Sequence, residues 1–370
     1  LKAVKKVSPF KLSYLLINKA APYRQQNLLN NTNSLPDWAC AYGGAQSQGI
    51  IRTIPGDFIV NEIQSFELSG IGEHAFILIE KCSENTDYVA RLLARFAEVR
   101  QRDVSYAGLK DRHARTRQWF SVWLPGKPDP DWQAINSDTI QVLEATRHSK
   151  KLKRGSLAGN QFNIRVRDWT GDKAVLEQQL QTIKTQGVPD YFGAQRFGRE
   201  GANIDKARAL FAGEKVSRNL RSIYLSSARS FIFNHILSKR VANKTWNQAL
   251  VGDVFMFDNS HSFFTAETLD ESILTRVAQL DAHPTATLWG KGESQATAEV
   301  ALLEQEIVEQ FEQLAKGLCA FGVDQDRRAL RSHIQELQWQ FIDNKTLELS
   351  FTLNPGCYAT ALLREIVKVA

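Results

Sequence analysis

The chain of 370 residues is 43 % hydrophobic and 23 % charged, too long for one small core and too apolar for a wholly disordered or fibrous protein. No run approaches eighteen consecutive apolar residues, which excludes a membrane-spanning helix. The net charge of +6 is unevenly spread: residues 1–34 carry +6, 35–99 carry −5, 100–167 carry +8 and 168–370 carry −3. A basic block inside an otherwise balanced chain points to a local contact with a polyanion.

Residues 1–34 hold six Lys/Arg, no acid and an Asn-rich run from Asn27 to Asn33. They lack the apolar core and cleavage site of a secretory signal and read as a flexible basic leader. Folding-competent pattern begins near Asp37. Alternation predicts strands at 57–62 and 74–79, and Val89, Leu92, Leu93, Phe96 and Val99 have helical spacing behind an Asn85 or Thr86 cap. Further strands are predicted at 104–109, 118–124, from Val142, and at 160–167, where Phe162, Ile164 and Val166 share a side. An amphipathic helix follows over 172–185. After Gly187-Val188-Pro189 the texture becomes helical, at 204–212, 227–242, 267–281 and 296–314, with short strands such as 253–257 between. Strand pattern returns at 337–342 and 347–353, and a final helix is predicted over 359–367. This divides the chain into a leader (1–34), the first part of a β-rich domain (35–187), an insertion (188–335) and the end of the β-rich domain (336–370).

The four cysteines, Cys40, Cys82, Cys319 and Cys357, lie far apart, form no CxxC and have no histidine at zinc spacing. They read as reduced thiols of a cytoplasmic protein. Walker A, helix-opening GxGxxG, HExxH and GxSxG patterns are all missing from the sequence.

Five segments could carry chemistry. In 107–117, AGLKDRHARTR, a short strand ends at a glycine and delivers Asp111 among Lys110, Arg112, Arg115 and Arg117. Opposite charge keeps that carboxylate ionised, which suits a nucleophile or charge stabiliser, and the cations could hold phosphate. The competing reading is a solvated turn with an incidental ion pair. In 147–155, Lys150, Lys151, Lys153 and Arg154 read as a phosphate-backbone contact or as a solvated loop. Behind them, Asn160 and Phe162 set an amide and a ring beside the cations, the groups that read and stack on bases. PDYFGAQRFG at 189–198 suggests an aromatic hinge. SSARS at 226–230 reads as a helix start capped by serine, and PGCYATALLRE at 355–365 puts Tyr358 just before a helix bearing Arg364.

Taken in order, DFIVNE (57–62), AGLKDRHA (107–114), GSLAGNQFNIRVR (155–167), GVPDYFGAQRFG (187–198), SSARSFIFN (226–234) and PGCYATALLRE (355–365) resemble the TruD family of tRNA pseudouridine synthases over about 37–367. The resemblance implies an α+β pseudouridine synthase fold: a mixed, largely antiparallel curved sheet with flanking helices, carrying a mostly helical inserted TRUD domain over the cleft. It implies isomerisation of uridine to pseudouridine at position 13 of tRNA by base flipping, with no cofactor, metal or redox step. The expectation is a cytoplasmic monomer whose partner is tRNA, with no membrane and no protein partner.

By the same resemblance, Asp111 matches the catalytic aspartate, attacking base or ribose or removing a ribose proton. Phe162 matches the ring that stacks on the target uracil. Phe58, Asn160 and Tyr358 match substrate-contacting positions, the last a phenylalanine in some relatives. Lys110 is expected to neutralise a phosphate or the carboxylate, and Arg364 is the candidate ion-pair partner of Asp111. Arg112, Arg115, Lys150, Lys151, Lys153 and Arg154 are the expected phosphate contacts. A tRNA-binding or chaperone protein without turnover is the alternative, and an aspartate-dependent RNA hydrolase would need a second carboxylate or a metal site, neither of which the sequence puts near Asp111.

Overall fold

Alternating apolar residues on long strands, interrupted by amphipathic helices, build the first layer. A computed structural model describes residues 35–266 and 268–369; the leader lies outside the described residues. In chain order the elements are β1 (Ser47–Ile50), β2 (Phe58–Ile63), β3 (His74–Cys82), α1 (Thr86–Phe96), β4 (Val104–Tyr106), β5 (Arg115–Trp123), β6 (Ile140–His148), β7 (Gly159–Thr170) and α2 (Lys173–Gln186). After β8 (Val188–Pro189) come α3 (Ala202–Phe211), α4 (Arg218–Ala242), β9 (Val254–Phe257), β10 (Phe263–Thr265), α5 (Glu271–Ala278), β11 (Ala282–Leu288), α6 (Ala298–Gln310), α7 (Glu312–Ala320) and β12 (Asp326–Ala329). The chain closes with β13 (Arg331–Ser332), β14 (Gln335–Asp343), β15 (Thr346–Leu353), α8 (Ala359–Ile366) and β16 (Val367–Val369).

The main sheet has the order β14-β15-β7-β2-β5-β3-β6, with β4 on β5 and β1 joining β7 to β16. Within it β2 runs parallel to β5 and β1 to β16, and the other pairings are antiparallel. Strands from 47–170 and from 335–369 thus share one sheet, because β15 registers along β7 from Leu347↔Val166 to Leu353↔Asn160. Phe58, Val60, Phe162, Ile164, Val166, Leu349 and Phe351 pack with α2 and α8 residues such as Leu180 and Leu362 in one core. The intervening segment leaves through β8 and returns through β13, which pair with each other. Its long α4 packs with α3 and α7, and its strands form a second sheet, β10-β9-β11-β12.

Several boundaries depart from expectation for identifiable reasons. The helix expected from Ser227 begins at Arg218, capped by Ser217, whose hydroxyl accepts from the Leu220 N–H at 3.4 Å. Leu220 and Ile223 are exposed, so its first turns show no apolar stripe. Ser227 is therefore no cap; it lies mid-helix, buried, with its hydroxyl on the Arg196 carbonyl at 2.7 Å. The helix expected over 267–281 is shorter and capped by Asp270. That over 296–314 breaks at Phe311, whose ring packs on His235. β11 was not expected: it is buried on both faces, so no alternation betrays it.

The segment 35–42 straps the two parts together. Trp38 packs on Tyr191, Phe231 and His235, while the Glu365 carboxylate accepts from the Ala41 and Tyr42 N–H groups. His235 sits among Trp38, Phe231 and Phe311, and this burial pulls its pKa down to about 3. It is neutral in the fold but takes up a proton near pH 6.5 once unfolded. Between those values the unfolded chain binds more protons, so this term makes stability fall as pH falls. Urea midpoints should drop less steeply from pH 6.5 to 4 in His235→Phe than in wild type; parallel profiles would refute the assignment.

Among the described residues no helix is long and apolar enough to cross a membrane, and none of the four cysteines is in a disulfide.

Candidate active site

Alternation on three adjacent strands decides which side chains meet. Registers Glu62↔Asn160↔Leu353 and Val60↔Phe162↔Phe351 put Glu62, Asn160 and Phe162 on one face. Lys81↔Thr116 and Ile79↔Gln118 extend the pairing to β3 and β5. The loop between β4 and β5 carries Asp111 and is held from several sides. Gln118 Nε2 donates to the Gly108 carbonyl at 3.0 Å, and the Lys110 N–H donates to Thr86 Oγ1 at 3.0 Å. Asn85 occupies the cap position of α1 without a side-chain capping bond, and Thr86 serves the loop.

Asp111 Oδ2 is 2.6 Å from Arg52 Nη2, and Oδ1 accepts from the His113 N–H at 3.3 Å. Arg52 sits at φ +60°, an uncommon conformation for a residue with a side chain, and its guanidinium lies 4.1 Å from the Phe58 ring centroid. Its loop is tied down by Asp57, which accepts two bonds from Arg167, at 2.8 and 2.7 Å, and one from the Ile54 N–H. Beneath the loop, Lys81 is fully buried; its Nζ donates to the Asp111 carbonyl at 2.8 Å and the Glu84 carbonyl at 2.7 Å. Burial pulls this ammonium down to about 8, with the Asp111 carboxylate acting in the opposite direction.

Two sequence expectations are corrected here. Arg364 does not pair with Asp111: it donates to the Trp38 and Ala39 carbonyls at 2.5 and 3.1 Å and lies over Tyr191. The partner is Arg52, which lines the same open groove as Arg364, about 790 Å³ in volume. Lys110 is not free for phosphate, because its Nζ is 2.5 Å from Glu62 Oε2 and both side chains are buried.

Phe162 is 8 % exposed and sits between Phe58, edge-on at 6.2 Å, and Phe351, stacked at 5.3 Å. Asn160 Oδ1 and Arg52 Nε are buried atoms without a hydrogen-bond partner among the described residues. Tyr358 stands at the start of α8, its hydroxyl accepting from Arg196 Nη2 at 2.8 Å beside Phe192. The aromatic segment 189–198 thereby locks α8 to the inserted part, with Asn234 bonding both the N–H and the carbonyl of Phe192.

The basic run is pinned by its one buried member. Leu152 accepts from Ser105 Oγ and donates to Ser121 Oγ, while Lys150, Lys151, Lys153 and Arg154 are exposed. The Gly155 N–H donates to the Ala107 carbonyl at 2.8 Å, which sets the run beside the Asp111 loop. Arg154 lies over Tyr106 at 3.5 Å, and Lys151 reaches the Arg102 carbonyl. Arg112 and Arg115 are exposed too; Arg112 donates to the Ser83 carbonyl, and Arg115 is 3.9 Å from Glu80. Charge reversal of Lys150, Lys151, Lys153 and Arg154 together should weaken RNA binding and lower the slope of log K against log salt by about one per lost phosphate contact. An unchanged slope in a salt titration would return the run to a solvated loop.

Arg52, Glu62 and Lys81 were not singled out from sequence. For Glu62 and Lys81 a signal exists: Phe58-Val60-Glu62 and Ile77-Ile79-Lys81 continue a buried alternation into a charge. For Arg52, an isolated loop residue, none exists.

The family profile for TruD, tRNA pseudouridine synthase D, matches residues 40–207 and 202–366. A curated relative of that name from Methylococcus capsulatus is 48 % identical over 330 residues, 89 % of this chain and 93 % of its own. Another, from Pseudomonas fluorescens, is 47 % identical over 329 residues, 88 % of this chain and 93 % of its own. A solved structure assigned to TruD from Methanosarcina mazei shares the fold, with a TM-score of 0.69 over 92 % of this chain and 96 % of that one at 23 % identity. With the Asp111 loop and its supports in place, and with near-half identity over most of its length, the chain belongs to the tRNA pseudouridine synthase D (TruD) family.

Proposed function

We propose that the protein isomerises uridine to pseudouridine in tRNA, at position 13, with Asp111 as the catalytic group. The observation that carries this is the anchored carboxylate: Asp111 is ion-paired to Arg52 and held through its own carbonyl by a buried lysine, in a chain of this family. Such a group is fixed in place before substrate arrives, as a nucleophile or base must be. The buried, unpartnered Asn160 Oδ1 supports a substrate-facing role for that amide, since an orphaned acceptor is costly unless a ligand supplies the donor. Phe58 and Phe162 supply the aromatic wall for a flipped base, and the exposed cations offset the cost of unstacking through phosphate contacts. Tyr358 and Arg364, on the Arg196 and Trp38 side, are proposed to border the bound RNA. The working unit is the monomer, with residues 188–335 as a domain inserted into the catalytic one, acting in the cytoplasm.

Incubation with undermodified tRNA, followed by carbodiimide mapping at base resolution, tests this. Pseudouridine at position 13 is the expected product. Binding without product would favour a tRNA chaperone, and strand cleavage would favour a hydrolase; either overturns the proposal.

A further inference from the structure

Leu109 stands two residues ahead of Asp111 and is 70 % exposed. Its neighbours are the reverse: Ala107 is buried, and the Lys110 side chain is held against Glu62. The backbone on both sides is fixed as well. The Ala107 carbonyl accepts from Gly155, the Gly108 carbonyl from Gln118, the Lys110 N–H reaches Thr86, and the Asp111 carbonyl accepts from Lys81. With the main chain bonded on both sides of it, Leu109 presents its isobutyl group to solvent from an anchored loop.

A single exposed leucine is ordinary on a protein surface. This one differs in its setting. It projects from the loop of the ion-paired carboxylate, which also exposes Arg112 and His113 and is tied by the Gly155–Ala107 bond to the exposed Lys153 and Arg154. An exposed apolar group on a loop tied to a cationic run fits a polyanion that has apolar surface between its charged edges, which describes stacked bases flanked by phosphates. Proteins that unstack nucleic acid use leucine and similar side chains as wedges between bases. Two residues of chain span at most about 7 Å, roughly two base steps of about 3.4 Å along one strand.

We propose that Leu109 is a positioning residue that enters the RNA stack at the step vacated by the target uridine, while Asp111 addresses the extruded nucleotide. This rests on the base-flipping reading above and deepens it. Filling the gap hinders return of the base, so the contribution falls on the flipped state rather than on initial binding.

Leu109→Ala and Leu109→Met should be assayed by single-turnover pseudouridine formation on undermodified tRNA, by tRNA affinity, and by the fluorescence of 2-aminopurine placed next to the target. For Leu109→Ala a rate loss of about tenfold to a hundredfold is expected, with affinity nearly unchanged and a smaller rise in fluorescence on binding. Leu109→Met should restore most of both. The defect should shrink on tRNA carrying an abasic site in place of the target's stacking neighbour, because less stacking then has to be replaced. Wild-type rate and fluorescence in Leu109→Ala, or an equal defect on both RNAs, would overturn the wedge. Failure of the wild-type enzyme to form pseudouridine would instead overturn the proposed function.

Discussion

Asp111→Asn is expected to lower pseudouridine formation by about 10⁴-fold or more, the scale of losing a group that takes part in bond making. Its affinity for tRNA should stay close to wild type. The amide is nearly isosteric, its Oδ1 can still accept from the His113 N–H, and the rest of the loop is held by bonds that do not use the carboxylate. Lys81 holds the main-chain carbonyl of residue 111, and Thr86 and Gln118 hold the residues before it. Arg52 loses its partner but is about one-third exposed, so water can take over its solvation. Removing a negative charge beside exposed Arg112 and the basic run should not weaken binding of a polyanion. Single-turnover assays with a filter-binding control check this. Product formation within tenfold of wild type would remove Asp111 from the mechanism, and a parallel loss of affinity and urea midpoint would mark a collapsed loop.

Lys110→Met should destabilise the fold by about 3–5 kcal/mol, because it leaves the buried Glu62 carboxylate without its counter-charge. Glu62→Leu alone should cost a similar amount for the opposite reason. The double variant, with apolar side chains in place of both charges, should be more stable than either single variant, so its cost should fall well short of the sum of the two in a double-mutant cycle. Urea unfolding of the four proteins measures it. A phosphate-binding lysine would behave differently: stability would be untouched, and the salt slope of tRNA binding would fall by about one. Additive single effects, or an unchanged midpoint in Lys110→Met, would restore the phosphate contact and remove the ion pair as the structural tie of the loop.

The local pattern determined most of the main sheet. Phe162, Ile164 and Val166 alternate on β7 as expected, and Asp172 caps α2 through the Ala174 and Val175 N–H groups. Those features rest on neighbours two to four residues away, so a short window contains them. The order of motifs around GLKD was enough to identify Asp111, Asn160 and Phe162 as residues to watch and to suggest the family. The same window also shows Glu62 and Lys81 turning inward at the ends of apolar alternations. What they meet there is not local: Glu62 meets Lys110 across 48 residues, and Lys81 meets Asp111 across 30.

Only the tertiary structure decided the partners. Arg52 and Asp111 are 59 residues apart and come together because β2 lies beside β5, which brings the loop before one strand to the loop before the other. Arg364 and Arg52 are equivalent cations as far as sequence can tell; the strap at 35–42 captures one through its carbonyl groups and leaves the other to the carboxylate. The early start of α4 and the whole of β11 belong to the same class, the first because its leading turns are exposed and the second because both its faces are covered. Charge pairing and burial on two sides depend on which strands become neighbours, and strand order is a property of the closed sheet rather than of any segment within it.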